Sequence, residues 1–277
     1  MLLTVDIGNT NIVLGLFDNT QGNTQGNTQG DTGESTSQDD TPLRNWRMRT
    51  DARMTADEMA LTVRGLLGEY AGKITGIAAL STVPALLPEL RVMVDRYWPQ
   101  LPRVIVEPGV RTGVPLLYDN PRELGADRIV NTLAAYTLYG GPAIVVDFGT
   151  STNFDVVSAR GEFLGGALAP GIEISVDALA ARAAQLVKVQ LVRPRSVIGK
   201  STVEALQSGL LFGFAGQVDG LVQRISTELA PGAQDNVVVV ATGGLAPLLI
   251  AESRTITHHA PHLTLRGLRM VFERNVG

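Results

Sequence analysis

The chain has 277 residues, a formal net charge of −4 and 44% hydrophobic residues, enough for two domains with cores that need no covalent staple. It has no cysteine, which excludes disulfides and thiolate metal sites. The acidic balance argues against nucleic-acid binding, no apolar run reaches the ~18 residues of a spanning helix, and the start MLLTVDIGNT lacks a leader pattern, so a cytoplasmic protein that binds no membrane is expected.

Apolar runs at 2–5 and 12–17 flank a turn at 8–11 and predict a β-hairpin. Residues 19–40 repeat an NTQG unit that can bury nothing, which predicts a disordered loop insert in that hairpin. LRNWRMRTD follows as a third strand. TADE at 55–58 is a capping box, and Met59, Val63, Leu66, Leu67 and Tyr70 continue at helical spacing. GIAALSTVP reads as a strand, LPELRVMVDRYW as a helix and RVIVEP as a strand. DNPRELGADRIVNTLAAYTLYGG reads as a loop and then a helix that ends at the glycine pair. AIVVDFGTSTNFDVVSARGEFLGGALAPG gives strand, turn, strand, turn. Residues 201–229 predict a long helix with Gly209, Gly213, Gly216 and Gly220 on one face, which suits a tight helix–helix contact within a domain or across a dimer. NVVVVATGGLAPLLIAES is a strand, a Gly-Gly turn and a helix, and LTLRGLRMVFERN closes the chain.

The phrase around Asp147 repeats the one around Asp6. Gly149 aligns with Gly8, Thr150 with Asn9, Ser151 with Thr10 and Thr152 with Asn11. Such a duplication predicts two similar α/β domains. One DIGNT alone is an ordinary Asx turn. Two copies, with ATGG at 241–244, suit loops whose backbone N–H groups hold the phosphates of a nucleotide. An acid beside phosphate requires a bridging cation or water. No Walker lysine pattern and no GxGxxG fingerprint is present. Asp127, in ELGADRIV, falls at a helix start, where it either offsets the helix dipole or accepts a proton from a substrate hydroxyl. His258, His259 and His262 have poor zinc spacing and read as a surface cluster.

The phrases DIGNTNIVLGLF, RTGVPLLYDNPRELGADRIVN, VVDFGTSTNFDVVS, GEFLGGALAPGI, VIGKSTVEALQSGLLFGFAGQVDG and ATGGLAPLLIAES resemble the type III pantothenate kinases over essentially the whole chain except 19–40. The resemblance implies two ribonuclease H-like domains of the actin and sugar-kinase type, with boundaries expected at 1–121 and 122–277. It implies ATP-dependent phosphorylation of pantothenate to 4'-phosphopantothenate, the first step toward coenzyme A. It also implies K+ or NH4+, Mg2+ with ATP, and a homodimer. By position it assigns Asp6, Ile7, Gly8, Asn9, Thr10, Asn11, Ile12, Val13 and Thr150 to ATP. Tyr118, Gly125, Ala126, Asp127, Arg128 and Thr202 go to pantothenate, Thr202 from the same chain or from across the dimer. Asp127 becomes the proton acceptor, and Asp147 the monovalent-cation ligand. Arg128 suits the substrate carboxylate, which a guanidinium can pair bidentately. The chain departs from the family pattern at Val187, Gln190 and Asn153. The competing readings are a non-catalytic accessory regulator on this fold and a kinase of another small hydroxy acid.

Overall fold

Leu2–Ile7 (β1) is apolar on both faces except at Thr4 and Asp6, the pattern of a central strand. In this computed structural model, which describes residues 1–18, 41–182 and 189–276, β1 is indeed central. The NTQG tract and Val187 lie outside the described residues. Antiparallel partners Asn11–Phe17 (β2) and Arg44–Arg49 (β3) stand on one side of β1, and parallel partners Gly76–Ser81 (β4) and Arg103–Ile105 (β5) on the other. The sheet order is β3-β2-β1-β4-β5.

Alternation of side chains assigns each face its cover. Leu3, Val5 and Ile7 point to one face, where they join Met59, Val63 and Leu67 of Ala56–Leu67 (α1) and Leu86, Leu90 and Met93 of Leu86–Tyr97 (α2). The start of α1 is the expected capping box, with Thr55 and Glu58 each satisfying the other's backbone N–H. The opposite face, shared by Thr4 and Asp6, is covered by Leu263–Val276 (α7). Glycines admit that helix: a Cβ on Gly15 would lie 2.9 Å from Leu265 Cδ1, and one on Gly76 would collide with the Phe272 ring. These elements, with residues 124–130, form one compact unit: 1–113, 124–130 and 264–277.

The second unit, 114–123 and 131–263, has a sheet of the same topology. Ala143–Phe148 (β6) is central, Ser151–Val157 (β7) and Phe163–Pro170 (β8) are antiparallel on one side, and Val238–Thr242 (β9) and His258–His259 (β10) are parallel on the other. Ile144, Val146, Phe148 and Phe154 build its core with Leu210, Leu211, Val218 and Val222 of Thr202–Leu229 (α5), Ile172 and Val176 of Ile172–Arg182 (α4), and Leu249 of Ala246–Ile250 (α6). Ala126–Tyr139 (α3) begins in the first unit and continues into the second.

On α5 the glycine stripe is where the spacing puts it. A Cβ on Gly209, Gly213, Gly216 or Gly220 would meet nothing within 4 Å, so the contact is not made within the described chain. No helix among the described residues is long and apolar enough to cross a membrane.

Candidate active site

Each sheet carries one acid near the end of its central strand, just before a turn. Asp6 and Asp147 are both half-buried, and the turns beyond them are exposed at Asn9, Thr10, Gly149 and Thr150. The first turn is braced from behind. Gly8 N donates to Asn11 O at 3.0 Å, Thr50 Oγ1 to Gly8 O at 2.6 Å, Thr50 N to Thr10 O at 3.0 Å and Thr82 N to Ile7 O at 2.9 Å. These bonds occupy the carbonyls of Ile7, Gly8, Thr10 and Asn11 and hold the turn in one conformation.

The second turn is one residue shorter. Ile7 pairs with Ile12 across the first hairpin, whereas Phe148 pairs with Thr152 across the second, where Gly149 N donates to Ser151 O at 3.0 Å. The sequence alignment therefore slips inside the turn. Asp6 stands opposite Val13, but Asp147 stands opposite Asn153. On their other sides, Asp6 pairs with Leu80 and Asp147 with Thr242. Cross-strand and parallel partners project to the same face. The two acids thus differ: Asp6 has apolar neighbours on both sides, Asp147 polar ones.

Two further groups converge on Asp147. Asn131 of α3, 1% exposed, directs its amide Nδ2 to Asp147 Oδ2 at 3.5 Å. Gly243, at φ 91°, brings its main chain so close that a Cβ would lie 2.7 Å from Asp147 Oδ1 and 2.5 Å from Phe148 O. Gly243 of ATGG thus lets the main chain approach the acid. Carboxylate, hydroxyl and amide oxygens are hard donors, which suit hard cations and not a thiophilic metal. Among the described residues no group of three or more His, Cys, Asp or Glu could hold a metal ion, and His258 and His259 are exposed on β10.

Asp127 lies in the first turn of α3. Its carboxyl is packed among protein atoms although an edge of the residue stays exposed, and this desolvation raises its pKa above the ordinary carboxylate value. The backbone N–H of Arg128, the Arg128 charge and the N–H of Asp127 itself pull the other way. Gly125 leaves the carboxyl this position, since a Cβ there would press on Asp127 Oδ1 and turn the side chain aside. Arg128 is buried, with its N–H on Gly125 O at 3.2 Å. Farther along, Gly267 of α7 passes so close to Val130 O that no side chain fits between them.

Gly125, Ala126, Asp127 and Arg128 are therefore contiguous around one helix start, and Asp6 to Val13 form one hairpin tip. In the second unit Tyr118 stands edge-on to Phe163, with ring centroids 5.7 Å apart, beside Gly165. Thr202 is exposed at the first position of α5, after Ser201, whose Oγ accepts from Glu204 N at 3.2 Å. Asn131 was not singled out in the sequence, and Thr242 only as part of ATGG.

The family model for type III pantothenate kinases matches residues 2–224. A type III pantothenate kinase from Saccharopolyspora erythraea is 65% identical over 277 residues, covering 100% of both chains. One from Rhodococcus erythropolis is 64% identical, covering 99% of this chain and 96% of its own. Among solved structures, Lmo2764 of Listeria monocytogenes, a candidate N-acetylmannosamine kinase, superposes with a TM-score of 0.54 at 13% identity, covering 100% of this chain and 99% of that one. That likeness concerns the fold, and it agrees with two ribonuclease H-like domains of the actin and sugar-kinase type. With more than half the chain matched by the family model and near-complete relatives above 60% identity, the chain belongs to the type III pantothenate kinase family.

Proposed function

We propose that this chain transfers the γ-phosphoryl group of ATP to the primary hydroxyl of pantothenate, the first step toward coenzyme A. The observation that carries the assignment of roles is Asp127: a carboxyl whose basicity is raised by burial, on a helix start built to seat it, in a chain 65% identical to a type III pantothenate kinase. A carboxylate with a raised pKa is a better proton acceptor at neutral pH than an ordinary one. Asp127 takes the hydroxyl proton as that oxygen attacks the γ-phosphorus. Arg128 pairs with the carboxylate of pantothenate, and Gly125, Ala126, Tyr118 and Thr202 complete the acceptor's contacts.

The hairpin tips bind ATP: Asp6 to Val13 in the first unit and Thr150 in the second. Phosphoryl transfer asks the protein for positioning and charge neutralisation more than for covalent chemistry. Mg2+ arrives with the phosphates, as this ion is held through few carboxylates and the substrate's own oxygens. Asp147 holds K+ or NH4+. Its polar flanks, Asn153 and Thr242, support this role for Asp147 and not for Asp6, which lies between Val13 and Leu80. When bound, that ion supplies positive charge near the nucleotide. The open glycine face of α5 supports a homodimer, and a cytoplasmic location follows from the proposed reaction. The domain boundary at 121/122 is retained for the duplicated halves.

The test is a coupled ADP assay with purified protein across a cation series. ADP should form only with pantothenate present, and faster in potassium than in sodium. Absence of pantothenate-dependent ADP in every cation would overturn the assignment.

A further inference from the structure

We infer that Asn131 is a positioning residue for the cation site: it orients the Asp147 carboxylate without neutralising it. The inference rests on the reading of Asp147 as the monovalent-cation ligand. Asn131 is 1% exposed, and its amide nitrogen is 3.5 Å from Asp147 Oδ2. On the other oxygen, the Gly243 main chain leaves no room for even a methyl group. The carboxylate is therefore flanked by an amide donor at one oxygen and by close main chain at the other.

The chemical type of the partner matters. An arginine or lysine at this position would pair with Asp147 and compete with any bound cation. A neutral amide donates a hydrogen bond and leaves the full negative charge available. Ligand sites need their groups held within roughly 0.5 Å of the working geometry. At 3.5 Å the bond is long, so the amide guides the carboxylate without gripping it. Asn131 also follows Asp127 by four residues on α3, so both fall on one side of that helix.

The experiment reads thermal stability and not turnover. Protein loaded with Mg2+ and a non-hydrolysable ATP analogue is titrated with KCl, choline chloride keeping ionic strength constant, and the potassium midpoint of the melting-temperature shift is recorded. Asn131→Leu keeps the branching of the side chain and removes the donor; its midpoint should rise roughly ten-fold. Asn131→Asp keeps the shape and adds a charge beside Asp147. With a second negative charge beside Asp147, its midpoint should fall below that of the unmodified protein. Midpoints unchanged in both variants overturn the inference. Should Asn131→Leu fail to fold, Asn131→Asp decides alone, an unchanged midpoint again overturning it. Asp147→Asn separates the two ideas. If it keeps the full potassium shift, the cation reading of Asp147 falls. If it loses the shift while both Asn131 variants behave as the unmodified protein, only the role of Asn131 falls.

Discussion

Replacing Gly243 with alanine tests the packing that defines the second acid. The backbone there has φ 91°, which L side chains rarely adopt. The left-handed side alone costs about 1–2 kcal/mol. The new Cβ would also stand 2.5 Å from Phe148 O and 2.7 Å from Asp147 Oδ1, well inside contact distance. Both atoms belong to the central strand β6, which is paired on both sides and cannot retreat as a unit. Relieving an overlap of this kind in a packed interior costs another ~1–3 kcal/mol. The sum is about 2–5 kcal/mol, a large part of the ~5–15 kcal/mol that holds a typical protein folded. Urea denaturation followed by circular dichroism should show a lower midpoint with an unchanged slope. The least costly relaxation rotates the Asp147 carboxylate away, so the surviving enzyme should also need more potassium for half-maximal activity. A Gly243→Ala protein within ~0.5 kcal/mol of the unmodified one, with the same potassium requirement, would refute the close approach.

Asp127→Asn should abolish nearly all turnover and leave the chain folded. Because burial raises the folded pKa of Asp127, ionising it works against the folded state. That penalty is complete above the raised pKa and vanishes as pH falls toward the ordinary value of about 3.9. The variant should therefore melt higher at neutral pH and lose this advantage in acid, as thermal melts across pH will show. For the unmodified enzyme the same shift places the acid limb of kcat/KM above the ordinary carboxylate range. A double variant Gly213→Ala, Gly216→Ala adds methyl groups where the described chain offers no neighbour within 4 Å. Helix propensity alone would favour it by ~1 kcal/mol per site. If a second copy packs on this face, sedimentation should instead show a dimer weakened at least ten-fold, and an unchanged dimer would move the seam elsewhere.

What the sequence made legible was local. The hairpins, the capping box and the Asp127 helix start each depend on residues within a few positions of one another. Topology was half legible: the repeated phrase predicted two like units, and the two sheet orders agree strand for strand. β8 and α4 were not read. Gly165 and Gly166 depress strand propensity in β8, and α4 buries only Ile172 and Val176, too few for a clear stripe. The glycine face of α5 was legible as a pattern, but a pattern does not say whether its partner lies in the same chain.

The Asn131–Asp147 contact was invisible because it joins a helix to a strand, and no spacing rule spans that distance. The difference between the two acids was hidden for another reason. In the sequence they look equivalent, each an acid before a glycine turn. Strand pairing makes them unequal. Shortening the second turn by one residue moves Asn153 into the place that Val13 holds in the first hairpin, and the parallel neighbour changes from Leu80 to Thr242. An acid between valine and leucine can meet a cation only from the solvent side. An acid between asparagine and threonine, with an amide on one oxygen, has oxygen atoms for an ion to share. The repeat gives two like turns, and the second, one residue shorter, sets its acid among polar cross-strand partners where the first sets its acid among apolar ones.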